Sequence, residues 1–324
     1  MRAVIVETPG GPEGLAIHER AIPQPSSNEV LIRVAAAGLN RTDVIQRGGR
    51  ANLPEGASDI LGLEVSGTIA QLGSDVSGIS VGDEVVALTD SGGYAEYVAV
   101  PAGQIAPVPP GLDLLDAAGI PEVAATVVLN VLLNGRYQEG ETVLVHGDTG
   151  GIGALVIQLV KALGGTVFAT AGSAGKCARV RSWGADAAIN YHEEEFDQRV
   201  QDLGGADITL DTVAGSYLQR NLNALKPGGR MITIGKQGGA SDTLDFSMLM
   251  KKKLTLIGSL LRDRTPEEKA RIMEETTRIV WPLLDDGKIQ TTTDRVFALS
   301  EVVAAHEYFD SGQHIGKVLL DCRS

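Results

Sequence analysis

The stretch "VLVHGDTGGIGALVIQLVKALG", Val143 to Gly164, decides the fold. A short apolar run ends in glycines, and an apolar run of helical length follows. Gly147, Gly150 and Gly153 recur at every third position, with Gly151 in addition. Glycines at such a turn let the backbone approach a pyrophosphate. The helix behind it offers free N–H groups and the positive end of its dipole. The spacing departs from Gly-x-Gly-x-x-Gly, so the loop alone also fits an ordinary glycine-rich βα turn. Its context decides between the two. "TVFATAG", "ADAAINY", "ADITLDTV", "RMITIG" and "KLTLIGSLL" read as further strands, with "KCARVRSWG", "EEFDQRVQDLG" and "SYLQRNLNALKPGG" as helices between them. Six strands alternating with helices predict an α/β domain with a doubly wound parallel sheet, a full dinucleotide-binding set.

The end of the second strand selects the cofactor. Sheets that bind NAD place an acidic residue there to hold the ribose 2′-hydroxyl. Here the strand ends "ATAGSAGK", with Gly172, Ser173 and Lys176 and no acid. A small turn with a hydroxyl and a cation suits a 2′-phosphate, so NADPH is the expected cofactor. Tyr191, ending the third strand, is a neighbour for the same phosphate. Such a charge-assisted contact contributes about 1.5–3 kcal/mol, roughly a 10- to 100-fold preference over NADH.

Upstream of the loop the texture is different. "MRAVIVE", "EVLIRVAAAGL", "EVSGTIAQLG", "DEVVALT" and "AEYVAV" are short strands punctuated by Gly, Pro and Asp. "PVPPGLD" marks a break, and "DAAGIPEVAATVVLNVLLNG" reads as one helical run. Downstream of Leu261, two helical segments with charged faces and the strand "GKVLLDC" follow. Some sixty residues make no comfortable domain of their own. The expected organisation is residues 1–120, 121–261 and 262–324, with the last segment returning to the first domain.

Bulk composition narrows the function. The 324 residues carry 41 acidic and 28 basic side chains, a net charge of −13. Nucleic-acid binding needs a basic face, and an anionic membrane surface repels such a chain. The longest apolar helical run is too short to span a bilayer, and the first residues show no apolar leader. Cys177 and Cys322 make no disulfide framework or metal spacing, so a reducing, cytoplasmic setting is expected. The five histidines are scattered; His146 reads as a packed core residue. "KKK", Lys251 to Lys253, reads as a solvated loop before the last strand.

Along nearly its whole length the chain resembles the medium-chain dehydrogenase/reductase superfamily. The resemblance is carried by "GGPEGL", "LNRTDVIQR", "PEGASDILGLEVSG", "GGYAEYV", "IPEVAATV", "GGIGALVIQL", "TAGSAGK" and "HIGKVLL". It is closest to the zeta-crystallin-like quinone oxidoreductases of the p53-inducible type. In zinc members a cysteine stands where this chain has Asn40, and a histidine where it has Leu63 in "ILGLEVSG". Catalytic zinc needs three protein ligands, so a zinc-independent enzyme is expected, with Glu64 as a structural residue.

The resemblance implies a Rossmann domain plus a β-rich GroES-like catalytic domain. It implies hydride transfer from NADPH to a quinone or another small electrophilic acceptor, with orientation and proximity as the protein's part. It places Asn40 in the nicotinamide and substrate cleft, as a candidate for polarising the acceptor. Thr126 reaches the nicotinamide end, and Gly150, Gly151 and Ile152 hold the pyrophosphate. Ser173, Lys176 and Tyr191 hold the 2′-phosphate. Gly235, Lys236, Leu260 and Leu261 follow the last two strands, and His314 and Gly316 close over the cofactor. A homodimer joined at the strand Leu254 to Leu260 is expected. One departure concerns Ala51, where relatives carry a tyrosine. Two rivals share the fold: an NADPH-dependent reductase of enal or enone C=C bonds, and a catalytically silent, crystallin-like NADPH-binding protein.

Overall fold

The computed structural model describes residues 1–50, 56–147 and 149–324; Ala51 lies outside them. The chain divides into two compact units. One comprises Met1–Ala125, Arg262–Asp285 and Thr291–Ser324; the other comprises Thr126–Leu261 and Asp286–Gln290. The strands begin with β1 (Arg2–Val6), β2 (Leu15–Glu19), β3 (Glu29–Gly38), β4 (Glu64–Leu72), β5 (Glu84–Leu88), β6 (Tyr97–Pro101) and β7 (Ile105–Pro107). They continue with β8 (Thr142–Val145), β9 (Thr166–Ala171), β10 (Ala187–Asn190), β11 (Ala206–Asp211), β12 (Leu225–Thr233) and β13 (Thr255–Gly258), and end with β14 (Thr293–Ala298) and β15 (Lys317–Asp321).

The second unit is built on a six-stranded sheet in the order β10-β9-β8-β11-β12-β13. Every pairing in it is parallel. Read along the chain, this is the 3-2-1-4-5-6 order of dinucleotide-binding sheets. Central strands of a parallel sheet are covered on both faces and read as unbroken apolar runs. All four residues of β8 are accordingly buried. The helix Gly151–Ala162 behind it buries Ala154, Val156, Ile157, Leu159 and Val160. His146 is fully enclosed, bonded to Asn221 Oδ1 at 2.6 Å and near Thr170 Oγ1 at 3.2 Å. It is a core residue.

In the first unit, β1 and β2 pair as a two-stranded sheet of their own beside a sheet of order β14-β15-β3-β4-β5-β7, in which β6 also pairs with β3. β3 is the spine, antiparallel to β4, β6 and β15. The core of this unit gathers Val30, Ile32, Leu61, Val65, Tyr94, Val98, Leu299, Val318 and Leu320. The C-terminal strand β15 thus shares a sheet and a core with the N-terminal strands.

Several local readings change. Helical residues run from Leu114–Ala117 and Pro121–Val127 into a wider turn at Val128–Asn134, where Gly135 N–H reaches Asn130 O. That i to i+5 bonding is a π-helix, so "DAAGIPEVAATVVLNVLLNG" is not one regular helix. The three lysines form no loop. Lys251 and Lys252 close the helix Phe246–Lys252, and Lys253 is its left-handed cap. Lys252 Nζ donates to the carbonyls of Leu222, Asn223 and Leu225, at the end of the helix Leu218–Ala224. A cation there satisfies carbonyls that have no helical partner. The last strand of the sheet is also shorter than Leu254 to Leu260: β13 spans Thr255–Gly258, and Leu260 is exposed.

Candidate functional site

Sequence dictates the nucleotide-binding end of the sheet. Gly150 caps the helix Gly151–Ala162 in extended backbone, and among the described residues no side chain caps that end. The first-turn N–H groups of Gly151 and Ile152 therefore lack helical partners and sit at the positive end of the dipole. Gly147 N–H donates to Thr170 Oγ1 at 3.0 Å, which ties the loop to β9.

At the end of β9 the chain turns through Gly172 and Ser173. A Cβ on Gly172 would collide with the Tyr191 hydroxyl, so glycine here lets the tyrosine from the end of β10 close over the turn. Ser173 caps the helix Ala174–Ser182, its Oγ accepting Lys176 N–H at 3.2 Å. The Ser173 hydroxyl hydrogen is not used in that bond. Lys176 lies half-buried in the first turn. A hydroxyl, a phenol, an ammonium and a helix terminus form a donor set that fits a dinucleotide carrying a 2′-phosphate, and the stretch Gly172 to Lys176 after β9 contains no acidic residue. Replacing Lys176 by alanine is expected to weaken NADPH binding roughly 10- to 100-fold and leave NADH binding unchanged. Nicotinamide fluorescence titrations check this, and equal wild-type affinity for the two cofactors would contradict the reading of "GSAGK".

The remaining predicted residues divide between the units. Gly235 and the exposed Lys236 follow β12, and Leu261 is buried where Leu260 is not. Thr126 is 7% exposed, and its carbonyl accepts Asn130 Nδ2 at 2.8 Å. In the other unit, His314 stacks on Phe309 at 4.6 Å, and Gly316 precedes β15.

Asn40 belongs to a buried polar network in the first unit. It precedes the helix Arg41–Arg47, and its N–H is taken by Asp43 Oδ2 at 2.8 Å. Its side chain turns inward. Nδ2 donates to Glu64 Oε1 at 2.9 Å and to Gly38 O at 3.3 Å, and Oδ1 accepts from Lys317 Nζ at 2.9 Å. Both ends of the amide are engaged, which makes Asn40 a brace of this network more than a free donor.

Glu64 is fully enclosed and takes Lys317 Nζ at 2.6 Å. Lys317 also donates to Leu39 O at 2.8 Å. The second oxygen of Glu64 accepts Glu122 N–H at 2.9 Å. A Cβ on Gly38 would occupy the space of the Glu64 carboxylate, so the glycine admits it. Beside this pair Asp43 is buried and bound by Gly62 N–H at 3.1 Å and Tyr94 O–H at 2.9 Å. Burial pushes the Asp43 carboxyl up to about 6 against these hydrogen bonds, and burial pushes the Tyr94 phenol up. The reading from sequence missed Lys317, Asp43, Tyr94 and Glu122. Its available signal was a lone charge in each of two apolar stretches, "ILGLEVSG" and "GKVLL". Opposite charges isolated in apolar strands are candidates for a buried pair.

Leu63, where zinc members carry histidine, is packed at 1% exposure. Among the described residues no group of three His, Cys, Asp or Glu side chains is arranged to hold a metal ion. No described helix is long and apolar enough to cross a membrane.

Comparison with known proteins follows this division. Residues 26–110 match the alcohol dehydrogenase GroES-like domain, and residues 151–278 match the zinc-binding dehydrogenase family. The quinone oxidoreductase of Rattus norvegicus is 31% identical over 99% of this chain and 97% of its own length. The chain belongs to the medium-chain dehydrogenase/reductase superfamily. Its fold is the α/β fold of that superfamily, a Rossmann domain with a GroES-like domain. The chain also matches a phenolphthiocerol/phthiocerol polyketide synthase of Mycobacterium tuberculosis, at 28% identity over 97% of this chain but only 14% of that protein's length. Among solved structures, Escherichia coli quinone oxidoreductase complexed with NADPH is similar with a TM-score of 0.88, at 27% identity over 99% of this chain and 100% of that one. CurK enoyl reductase is similar with a TM-score of 0.85, at 25% identity over 99% and 98%.

Proposed function

We propose that this protein is an NADPH-dependent quinone oxidoreductase that works without zinc. The observation that carries the reading is the strand end Gly172-Ser173 with Lys176 and Tyr191, where donors replace the acid of NAD-binding sheets. The relatives named quinone oxidoreductase, matched over 97% and 100% of their length, support the acceptor class. When bound, NADPH supplies a hydride. The chain's own residues do the rest. Gly150, Gly151 and Ile152 hold the pyrophosphate at the helix terminus, and Ser173, Lys176 and Tyr191 hold the 2′-phosphate. Thr126, Gly235, Lys236, Leu260, Leu261, His314 and Gly316 complete the cofactor contacts in this reading.

Asn40 is where zinc members keep a cysteine ligand; here its amide is bound to Glu64 and Lys317. That substitution, with the packed Leu63, supports chemistry that relies on orientation and proximity. A quinone is electrophilic enough to accept hydride without a Lewis acid. Exposed Phe246, Met250 and Leu260, on either side of the edge strand β13 in the chain, support the expectation of a homodimer.

The likeness to an enoyl reductase supports a second reading, reduction of activated C=C bonds. Steady-state turnover of 1,4-benzoquinone, 9,10-phenanthrenequinone and trans-2-alkenals with NADPH separates the two. Quinone turnover is expected to dominate. Alkenal turnover alone would replace the first reading with the second, and NADPH binding without turnover of any acceptor would leave the crystallin-like role.

A further inference from the structure

Reduction of a quinone or an enone by hydride leaves an oxygen or carbon that must still gain a proton. The polar network of the first unit contains three carboxyl groups, and their surroundings differ. Glu64 is enclosed and bound by Lys317, Asn40 and the Glu122 N–H. Asp43 is enclosed and bound by two backbone N–H groups and the Tyr94 hydroxyl. Neither can pass a proton outward without breaking the network. Glu122 differs on both counts. It is half-buried, so one side is open, and its carboxyl has no hydrogen-bond partner among the described residues.

Its position is fixed from behind. Glu122 lies in the first turn of the helix Pro121–Val127, and its N–H is pinned to Glu64 Oε2. The charges that act on its carboxyl are those of Glu64 from β4, Asp43 from the helix Arg41–Arg47, Lys317 from β15 and Lys269 from the helix Pro266–Asp285. Burial first, then the Glu64 and Asp43 charges, push its carboxyl up to about 8 against the pull of Lys317 and Lys269. A carboxylic acid held neutral near pH 7 and open on one side is equipped for general acid catalysis.

Building on the oxidoreductase reading above, we propose that Glu122 is the acid that delivers the proton to the reduced acceptor. The balance is simple. The acceptor gains two electrons and one hydrogen as hydride. The Glu122 O–H bond breaks as its proton joins the acceptor, and the carboxylate regains a proton from water. The Glu64–Lys317 pair holds the helix turn that carries it.

The test has two readouts. With NADPH and the best acceptor, wild-type kcat is expected to hold steady below pH about 8 and fall above it. Glu122→Gln is expected to lower kcat by about 100-fold and to abolish that alkaline limb, with the NADPH dissociation constant unchanged. Glu122→Asp is expected to retain the limb. Independently, infrared difference spectra of the protein titrated from neutral to alkaline pH should lose a protonated-carboxyl C=O band near pH 8, absent from Glu122→Gln. A Glu122→Gln enzyme with undiminished kcat and an intact limb overturns the assignment, as does a Glu122 carboxyl already ionised at neutral pH. A wild-type protein that reduces no acceptor refutes the functional reading itself and the donor role with it; an inert substitution in an active enzyme refutes the Glu122 assignment alone.

Discussion

Replacing Lys317 by methionine is expected to lower the stability of the protein by about 3–5 kcal/mol, the cost of leaving one partner of a buried ion pair uncompensated. Glu64 has no exposed surface, and Lys317 is 8% exposed. Methionine matches the length of the lysine stem but supplies no donor. The Glu64 carboxylate would keep Asn40 Nδ2 and the Glu122 N–H, and lose its cation. Two further acceptors, Leu39 O and Asn40 Oδ1, would lose their donor at the same time. Thermal and urea unfolding measure the effect. The double variant Glu64→Gln, Lys317→Met is expected to cost clearly less than the sum of its single changes, because it removes both charges together. A loss below about 1 kcal/mol in the single variant, the range of surface pairs, would show that the pair is not buried as described.

Replacing Arg47 by methionine is expected to cost about 3 kcal/mol at neutral pH, the low end for a buried pair, since its partner Asp310 is partly exposed. Arg47 joins the helix Arg41–Arg47 to the helix Val302–Asp310. Its guanidinium donates to Asp310 Oδ2 at 2.6 Å and to Gly10 O at 3.1 Å, and it faces His306 Nδ1 at 2.9 Å. Burial, reinforced by the Arg47 charge, lowers the fully enclosed His306 from its ordinary 6.5 to about 4. Below pH 6.5 the unfolded chain therefore binds a proton that the folded chain refuses until about pH 4. Stability from this histidine is present above 6.5 and is lost as pH falls through that window, by about 3 kcal/mol in all. Removing Arg47 takes away one of the two causes of the shift, so the variant loses less stability on acidification. The gap between variant and wild type is expected to be widest at neutral pH and narrower near pH 4. A gap independent of pH would separate Arg47 from His306.

The Rossmann half is legible in the sequence because its signals are local. Buried parallel strands read as apolar runs, the helices between them have their own period, and glycines mark the turns. All six strands can be found in this way, from "TVLV" to "TLIG". The helix Arg41–Arg47 escapes such a reading because it is short and polar, although Asn40 and Asp43 stand at capping positions. β14 escapes it because it is an outer strand with three exposed residues, without the apolar run of a core strand. The three lysines read as a loop because charge suggests solvent. Their helix position depends on carbonyls some thirty residues away, which local sequence does not show.

The same limit governs the site. Gly172, Ser173, Lys176 and Tyr191 come together because two neighbouring parallel strands end side by side, a consequence of the sheet order that the alternating pattern already implies. Composition and pattern therefore determined the fold class and the residues proposed to receive a phosphate. Tertiary structure alone decided the partners of Glu64. They come from positions 24 residues back, 58 residues ahead and 253 residues ahead in the chain. A buried charge carries no local mark of its partner. The partner is chosen by which strands pair and by which opposite charges the low-dielectric interior can hold only together.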